Sequence, residues 1–159
     1  MTQTEEAAHT RMVRWFPPVD RAPSAWVEWA NQLPLVSGLG VVATAVTDDS
    51  VTFEVPAAPL CPNPNGSVNG GLVIAIADQV MGVVAARVAA PGQLAATGTL
   101  STQFISPALP PLELRGAPTG GGRRVTFVEV VVYDKDGNRC AVCQGAMIAG
   151  AAARQEPTG

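Results

Sequence analysis

The chain has 159 residues, of which 47% are hydrophobic and only 14% charged, and its net charge is −3 at neutral pH. That length predicts one domain with a proper core, and an acidic balance with no Lys/Arg cluster excludes nucleic acid as a partner class. So little charge is lean for a soluble monomer and predicts surface hidden in a homo-oligomer. A membrane span is not expected, because the longest apolar run is interrupted by Asp78 and Arg87.

Residues 1–21 are polar, carry Pro17 and Pro18, and read as a loose arm ahead of a domain over 22–150. The arm has no basic start followed by an apolar stretch, so no signal peptide is expected and a cytoplasmic location is the default. A short helix is predicted from Ser24, an N-cap type with Glu28 four positions on, to Leu33, ending before Pro34. Trp26 and Trp29 fall on this helix and read as core or interface. Gly38 and Gly40 then open a β region. VVATAV, the turn Asp48-Asp49-Ser50 and VTFEV predict a hairpin.

Residues 56–71 form a long loop with four prolines and three asparagines. It leads into an almost wholly apolar helix that Pro91-Gly92 ends. A helix hydrophobic all round is a buried helix. Its one carboxylate, Asp78, is costly there unless it is paired, hydrogen-bonded or kept for chemistry. An acid two turns into a central helix with a glycine-rich start is the layout of an active site.

The last third reads as sheet. QLAATGTLSTQFI is a long strand rich in Thr, closed by Ser106-Pro107, and LELRGAP is a shorter one. A glycine turn at 120–122 leads to RRVTFVEVVVYD. There Val125, Phe127, Glu129 and Val131 share one face, and Thr126, Val128, Val130 and Val132 the other. Both faces are largely apolar, as in a central strand covered by a helix on one side and a partner on the other. The run 134–138, DKDGN, is a hairpin turn, residues 139–149 pair back, and 151–159 form a frayed tail.

Cys140 and Cys143 have C-x-x-C spacing but lie in a strand-like run, where residues three apart point to opposite faces. With only Cys61 and His9 as further soft ligands, no metal site is expected. The cysteines read as buried and structural. One long helix among five or six antiparallel strands is an α+β plan.

The stretch NPNGSVNGGLVIAIADQVMG resembles the loop and helix of hotdog-fold acyl-CoA thioesterases of the phenylacetate-degradation (PaaI-like) type. Their pattern is roughly N-P-x-G-[ST]-V-H-G-G, then apolar residues, then Asp. FISPALPPLELRGAPT and YDKDGNRCAVCQGAMI are similar to the closing strands of that family, so the resemblance spans 38–149. It implies a hotdog fold, an antiparallel sheet wrapped around one central helix, and hydrolysis of an acyl-CoA thioester without cofactor or metal. By this resemblance Asp78 is general base or nucleophile. Gly70 and Gly71 supply a backbone N–H that polarises the carbonyl. Asn63 orients water or carbonyl, and Thr97 holds the attacking water. Arg123 and Arg124 are candidates for the phosphates of coenzyme A.

One departure from the pattern matters. Asn69 stands where the family carries His, and it donates hydrogen bonds but cannot become cationic near neutral pH. As a substrate contact it competes with a plain role as helix N-cap. Three other readings stay open: a non-catalytic acyl-thioester-binding module, a thioesterase acting on a carrier-protein thioester, and a hydratase. The last is weakened by the lack of any histidine in 22–150.

Overall fold

A computed structural model describes residues 15–56 and 62–150. Helix α1 (Pro23–Gln32) and helix α2 (Pro34–Gly38) precede strands β1 (Val42–Val46) and β2 (Val51–Val55). Helix α3 (Gly70–Val88) follows, then β3 (Ala95–Phe104), β4 (Leu112–Gly121), β5 (Val125–Tyr133) and β6 (Arg139–Ala149). All neighbouring strands pair antiparallel, in the order β1-β2-β4-β5-β6-β3. This is the α+β plan, with six strands.

Helix α3 lies against one face of the sheet. Val73, Ile76, Ala77, Val80 and Met81 are fully buried beneath it. Small residues in the sheet make the close approach: a Cβ on Gly116 of β4 would come within 2.5 Å of Val80, and one on Gly145 of β6 within 2.7 Å of Met81. By length and composition α3 would pass for a membrane span, but its apolar surface is spent on this core. It is not buried all round, however. Ile74, Ala75, Asp78, Gln79 and Gly82 form a half-buried stripe at helical spacing along its outer side, with Gly71 exposed at its start.

The β5 alternation behaves as its sequence reads. Val128, Val130 and Val132 are buried under α3, whereas Phe127 points to the opposite face and is half exposed. The β6 cysteines are both free and buried. Their strict opposition fails because a register shift in the β5–β6 pairing between Val132 and Tyr133 leaves Cys140 unpaired, so it is buried despite its parity with outward residues. Burial, reinforced by the charge of Asp134, pushes the Cys140 thiol up to about 11, and burial raises that of Cys143. Cys61 and His9 lie outside the described residues, as does the tail 151–159. Among the described residues no cluster of metal-ligating side chains occurs.

The N-terminal helices differ from expectation. Pro23, not Ser24, begins α1, and Ala22 occupies the cap position with no side-chain bond. Proline suits a first helical turn because its missing N–H is not needed there. For the same reason Pro34 starts α2 rather than only ending α1. Arg21, at the end of the expected loose arm, is tied down. Its Nη2 donates to the Asp48 carboxylate at 2.8 Å and to the Arg87 carbonyl at 2.9 Å, and Arg87 Nη2 donates back to the Arg21 carbonyl at 2.7 Å. The buried Arg87 also stacks over Trp26, 4.9 Å from the ring centre.

The two sheet edges differ. At β1, Asn31 of α1 donates from Nδ2 to the Ala43 carbonyl at 2.9 Å and accepts from the Ala43 N–H at 2.8 Å. One side chain thus mimics a strand residue and covers that edge. At the other edge β3 presents ten residues, most of them exposed, ending in the exposed Phe104 and Ile105.

Candidate active site

The loop before α3 is built by its asparagines. Asn63 Oδ1 accepts from the Asn65 N–H at 2.9 Å and the Ser67 N–H at 3.2 Å, the Asx geometry that turns the chain. Gly66 takes a positive φ of 76° within this turn. The Asn63 N–H donates to the Ser67 carbonyl at 2.8 Å, and the Val68 N–H reaches the Ala108 carbonyl at 2.9 Å, tethering the loop to the segment after β3. Half of the Asn63 side chain is therefore structural. Among the described residues nothing accepts from its Nδ2.

Asn69 is the N-cap of α3, with Oδ1 accepting from the Gly71 N–H at 2.9 Å. That bond divides the two glycines. Gly71 gives its N–H to the cap, while the Gly70 N–H has no acceptor among the described residues, at the positive end of the helix dipole. Beside it a cleft of about 360 Å³ is lined by Asn63, Ser67, Gly70, Phe104 and Ser106, among others. Ser67, Phe104 and Ser106 carry no local sequence signal as cleft residues. They are legible only once the loop is known to fold against the end of β3.

Asp78 lies on the outer stripe of α3, half-buried. Thr97 Oγ1 donates to its Oδ1 at 2.6 Å. The β3–β6 register slips between Thr97 and Thr99, and such a bulge re-aims side chains beside functional sites. Two residues named separately from the sequence, Asp78 and Thr97, are therefore brought together.

The other candidates are not all close to it within one chain. Gly70 and Asp78 are eight residues apart on one helix, about 12 Å along its axis, too far for both to hold a single carbonyl group. Arg123 lies further still, lining a second cavity with Ala85 and Val88 at the C-terminal end of α3. Arg124 is exposed beside it, with its carbonyl accepting from the Ala149 N–H.

Comparison with known proteins bears on this arrangement. Residues 65–141, from the α3 loop into β6, match the family described as the thioesterase superfamily. A solved thioesterase from Haemophilus influenzae is 17% identical, covering 91% of this chain and 100% of its own, with a TM-score of 0.74. The PaaI protein of the E. coli phenylacetic acid degradation operon is 13% identical over 77% of this chain and 88% of its own, with a TM-score of 0.69. A Streptococcus mutans protein bound to acetyl-CoA is 19% identical over 70% of this chain and 90% of its own, with a TM-score of 0.63. The six-stranded antiparallel sheet with its central helix is the hotdog fold of these thioesterases, and over residues 65–141 the chain is similar to the thioesterase superfamily.

Proposed function

We propose that the protein is an acyl-CoA thioesterase of the PaaI-like type, active as a homodimer with a site shared between two chains. The observation that carries this reading is the 2.6 Å bond from Thr97 to Asp78, which orients the carboxylate on the one open stripe of α3. In the proposed reaction, water donates one hydrogen to Asp78 Oδ2 and the other to Thr97 Oγ1, whose own proton is engaged with Oδ1. Water oxygen attacks the thioester carbon as Asp78 takes the proton. Negative charge builds on the carbonyl oxygen and is met by the Gly70 N–H of the partner subunit. The carbon–sulfur bond then breaks, and the departing sulfur receives the proton, leaving free acid and thiol.

Distance and the sheet edges support the shared site. A 12 Å separation on one helix is removed if two copies of α3 run antiparallel, so that each Asp78 faces the other chain's Gly70. Pairing through β3 would bring the helices together this way, and among the described residues no side chain covers the β3 edge. The Asn63 amide would meet the thioester carbonyl from the same side as Gly70. That a related fold holds acetyl-CoA supports coenzyme A as the carrier, and Arg123 and Arg124 remain candidates for its phosphates.

Hydrolysis of a panel of acyl-CoAs, followed by free-thiol detection, tests the reading. Wild-type protein should release thiol, and Asp78→Asn should lower kcat by at least ~100-fold with its melting temperature retained. Equal loss of stability and activity, or no turnover by wild type on any thioester, would sink the proposal.

A further inference from the structure

We propose that Gly98 is a positioning residue: the space it leaves for Ile148 holds the bulge in β3 that turns Thr97 toward Asp78, a role that rests on the thioesterase reading above. Strand β3 changes face along its length. In its second half the even positions face α3. Leu100 packs against the core, Thr102 Oγ1 donates to the buried Cys143 Sγ at 3.3 Å, and the Phe104 ring lies against Gly70. Side chains alternate along a strand, so an unbroken β3 would carry Gly98 toward α3 and turn Thr97 away from it. Thr97 nevertheless bonds Asp78.

The extra residue is Gly98. Thr97 pairs with Met147 and Thr99 with Ala146, two steps on β3 against one on β6, and Gly98 between them is left out of the pairing. Met147 is buried on the α3 side, and directly opposed residues share a face, so Thr97 shares it. The same register runs on beyond the strand ends, where the Gly150 N–H donates to the Leu94 carbonyl at 2.8 Å. A slip of one residue would flatten the bulge and flip every β3 side chain before it. Ala95 and Ala96 would then exchange faces with no change of side chain, so those two positions do not select the bulged register.

Space at Gly98 selects it. A Cβ there would come within 2.8 Å of Ile148 Cγ1, 3.1 Å of its Cδ1 and 3.2 Å of the Ala146 carbonyl oxygen. The Gly98 backbone is not left-handed, so crowding and not φ excludes a side chain. Ile148 stands on the outer face of the sheet, opposite Ala96 and Val125. Its branched Cβ restricts χ1 and keeps it from swinging clear. With glycine at 98, Ile148 fills the hollow of the bulge. With a larger residue the two compete for one volume. Slipping the register relieves that clash, and it sends residue 98 toward Asp78 and Thr97 to the outer face.

The test uses full-length protein and a readout independent of turnover. In methyl-labelled wild type, a nuclear Overhauser contact should join the Thr97 methyl to the Asp78 β-protons. Gly98→Val should abolish that contact and lower kcat by at least ~10-fold, the loss expected of Thr97→Val, with KM changed less than ~3-fold. The double variant Thr97→Val/Gly98→Val should stay within ~2-fold of Thr97→Val, because both changes remove one interaction. Adding Ile148→Ala to Gly98→Val opens the outer face, and should return the contact and at least ~5-fold of the rate. A merely structural role for Gly98 gives additive losses that follow the melting temperature. If Gly98→Val does not fold, Gly98→Ala, which adds one carbon, is read by the same contact. No contact in wild type, a contact that survives in folded Gly98→Val, or a loss that Ile148→Ala leaves unrepaired would overturn the assignment. If wild type cleaves no thioester, the thioesterase reading falls, while the loss and return of the contact still decide the role of Gly98.

Discussion

At the residue scale, the site turns on which hydrogen bonds are already spent. Thr97 has committed its proton to Asp78, so it faces water as an acceptor only. Thr97→Val, nearly the same shape without the hydroxyl, should leave the fold intact and cut kcat by about 10-fold or more, which steady-state kinetics would show. Asn69 has committed its oxygen to the helix cap. Asn69→Asp keeps that cap and places a negative charge at the helix start, so the melting temperature should hold or rise. The same charge would repel an oxyanion held by the Gly70 N–H, and kcat should fall. If kcat stays level while stability holds, the oxyanion does not form there. Of the two roles the sequence leaves open for Asn69, its Oδ1 fills the cap, and its Nδ2 is left over for a contact.

At the element scale, most of the fold was legible because periodicity and turn chemistry agree. Both strands of the first hairpin, the β5 alternation and the span of β6 follow from alternating residues bounded by Asp, Asn and Gly turns. What was not legible has physical reasons. Pro34 stops one helix and starts another, and sequence alone does not separate those roles. The outer stripe of α3 is apolar enough to read as buried. The polar cleft joins residues some forty apart, Asn63 to Ser106, which no local pattern connects. The cavity at the other end of α3 is announced by alanines, the least distinctive of residues.

The junction of α1 with the rest of the fold depends on Asp48 between Arg21 and Arg87. The Arg21 hydrogen bond, then the Arg87 charge, hold the Asp48 carboxyl below its usual value of 3.8. A depressed folded-state pKa means its stabilisation is present above 3.8 and is lost as pH falls through the lower folded value. Asp48→Asn should therefore lower stability at neutral pH and flatten its decline below pH 4, as urea titrations across pH would record. An Asp48→Asn curve parallel to wild type in that range would show that the charge contributes nothing. Arg87 needs this partner, because a buried cation without one is strongly destabilising.

At the scale of the whole molecule, one sheet edge is covered and, among the described residues, the other is open. Asn31 occupies the β1 edge, whereas β3 offers ten residues of backbone for pairing. The proposed dimer through β3 would also account for the sparse charge of the chain and the half-buried stripe on α3. Light scattering at micromolar concentration should give twice the chain mass or a multiple of it. A monodisperse monomer would remove both the dimer and the shared site.

The shared site itself is tested by mixing two inactive variants. Asp78→Asn removes the base. Gly70→Pro removes the backbone N–H, at the first helical position where proline is well accepted; the Cβ it adds meets only the tip of the exposed Phe104 ring, at 3.1 Å. Each variant alone should be folded and inactive. A heterodimer places both lesions in one site and leaves the other intact, so verified mixed dimers should recover about half of the wild-type rate per dimer. Verified mixed dimers of two folded, inactive parents that release no more thiol than either parent would contradict the account.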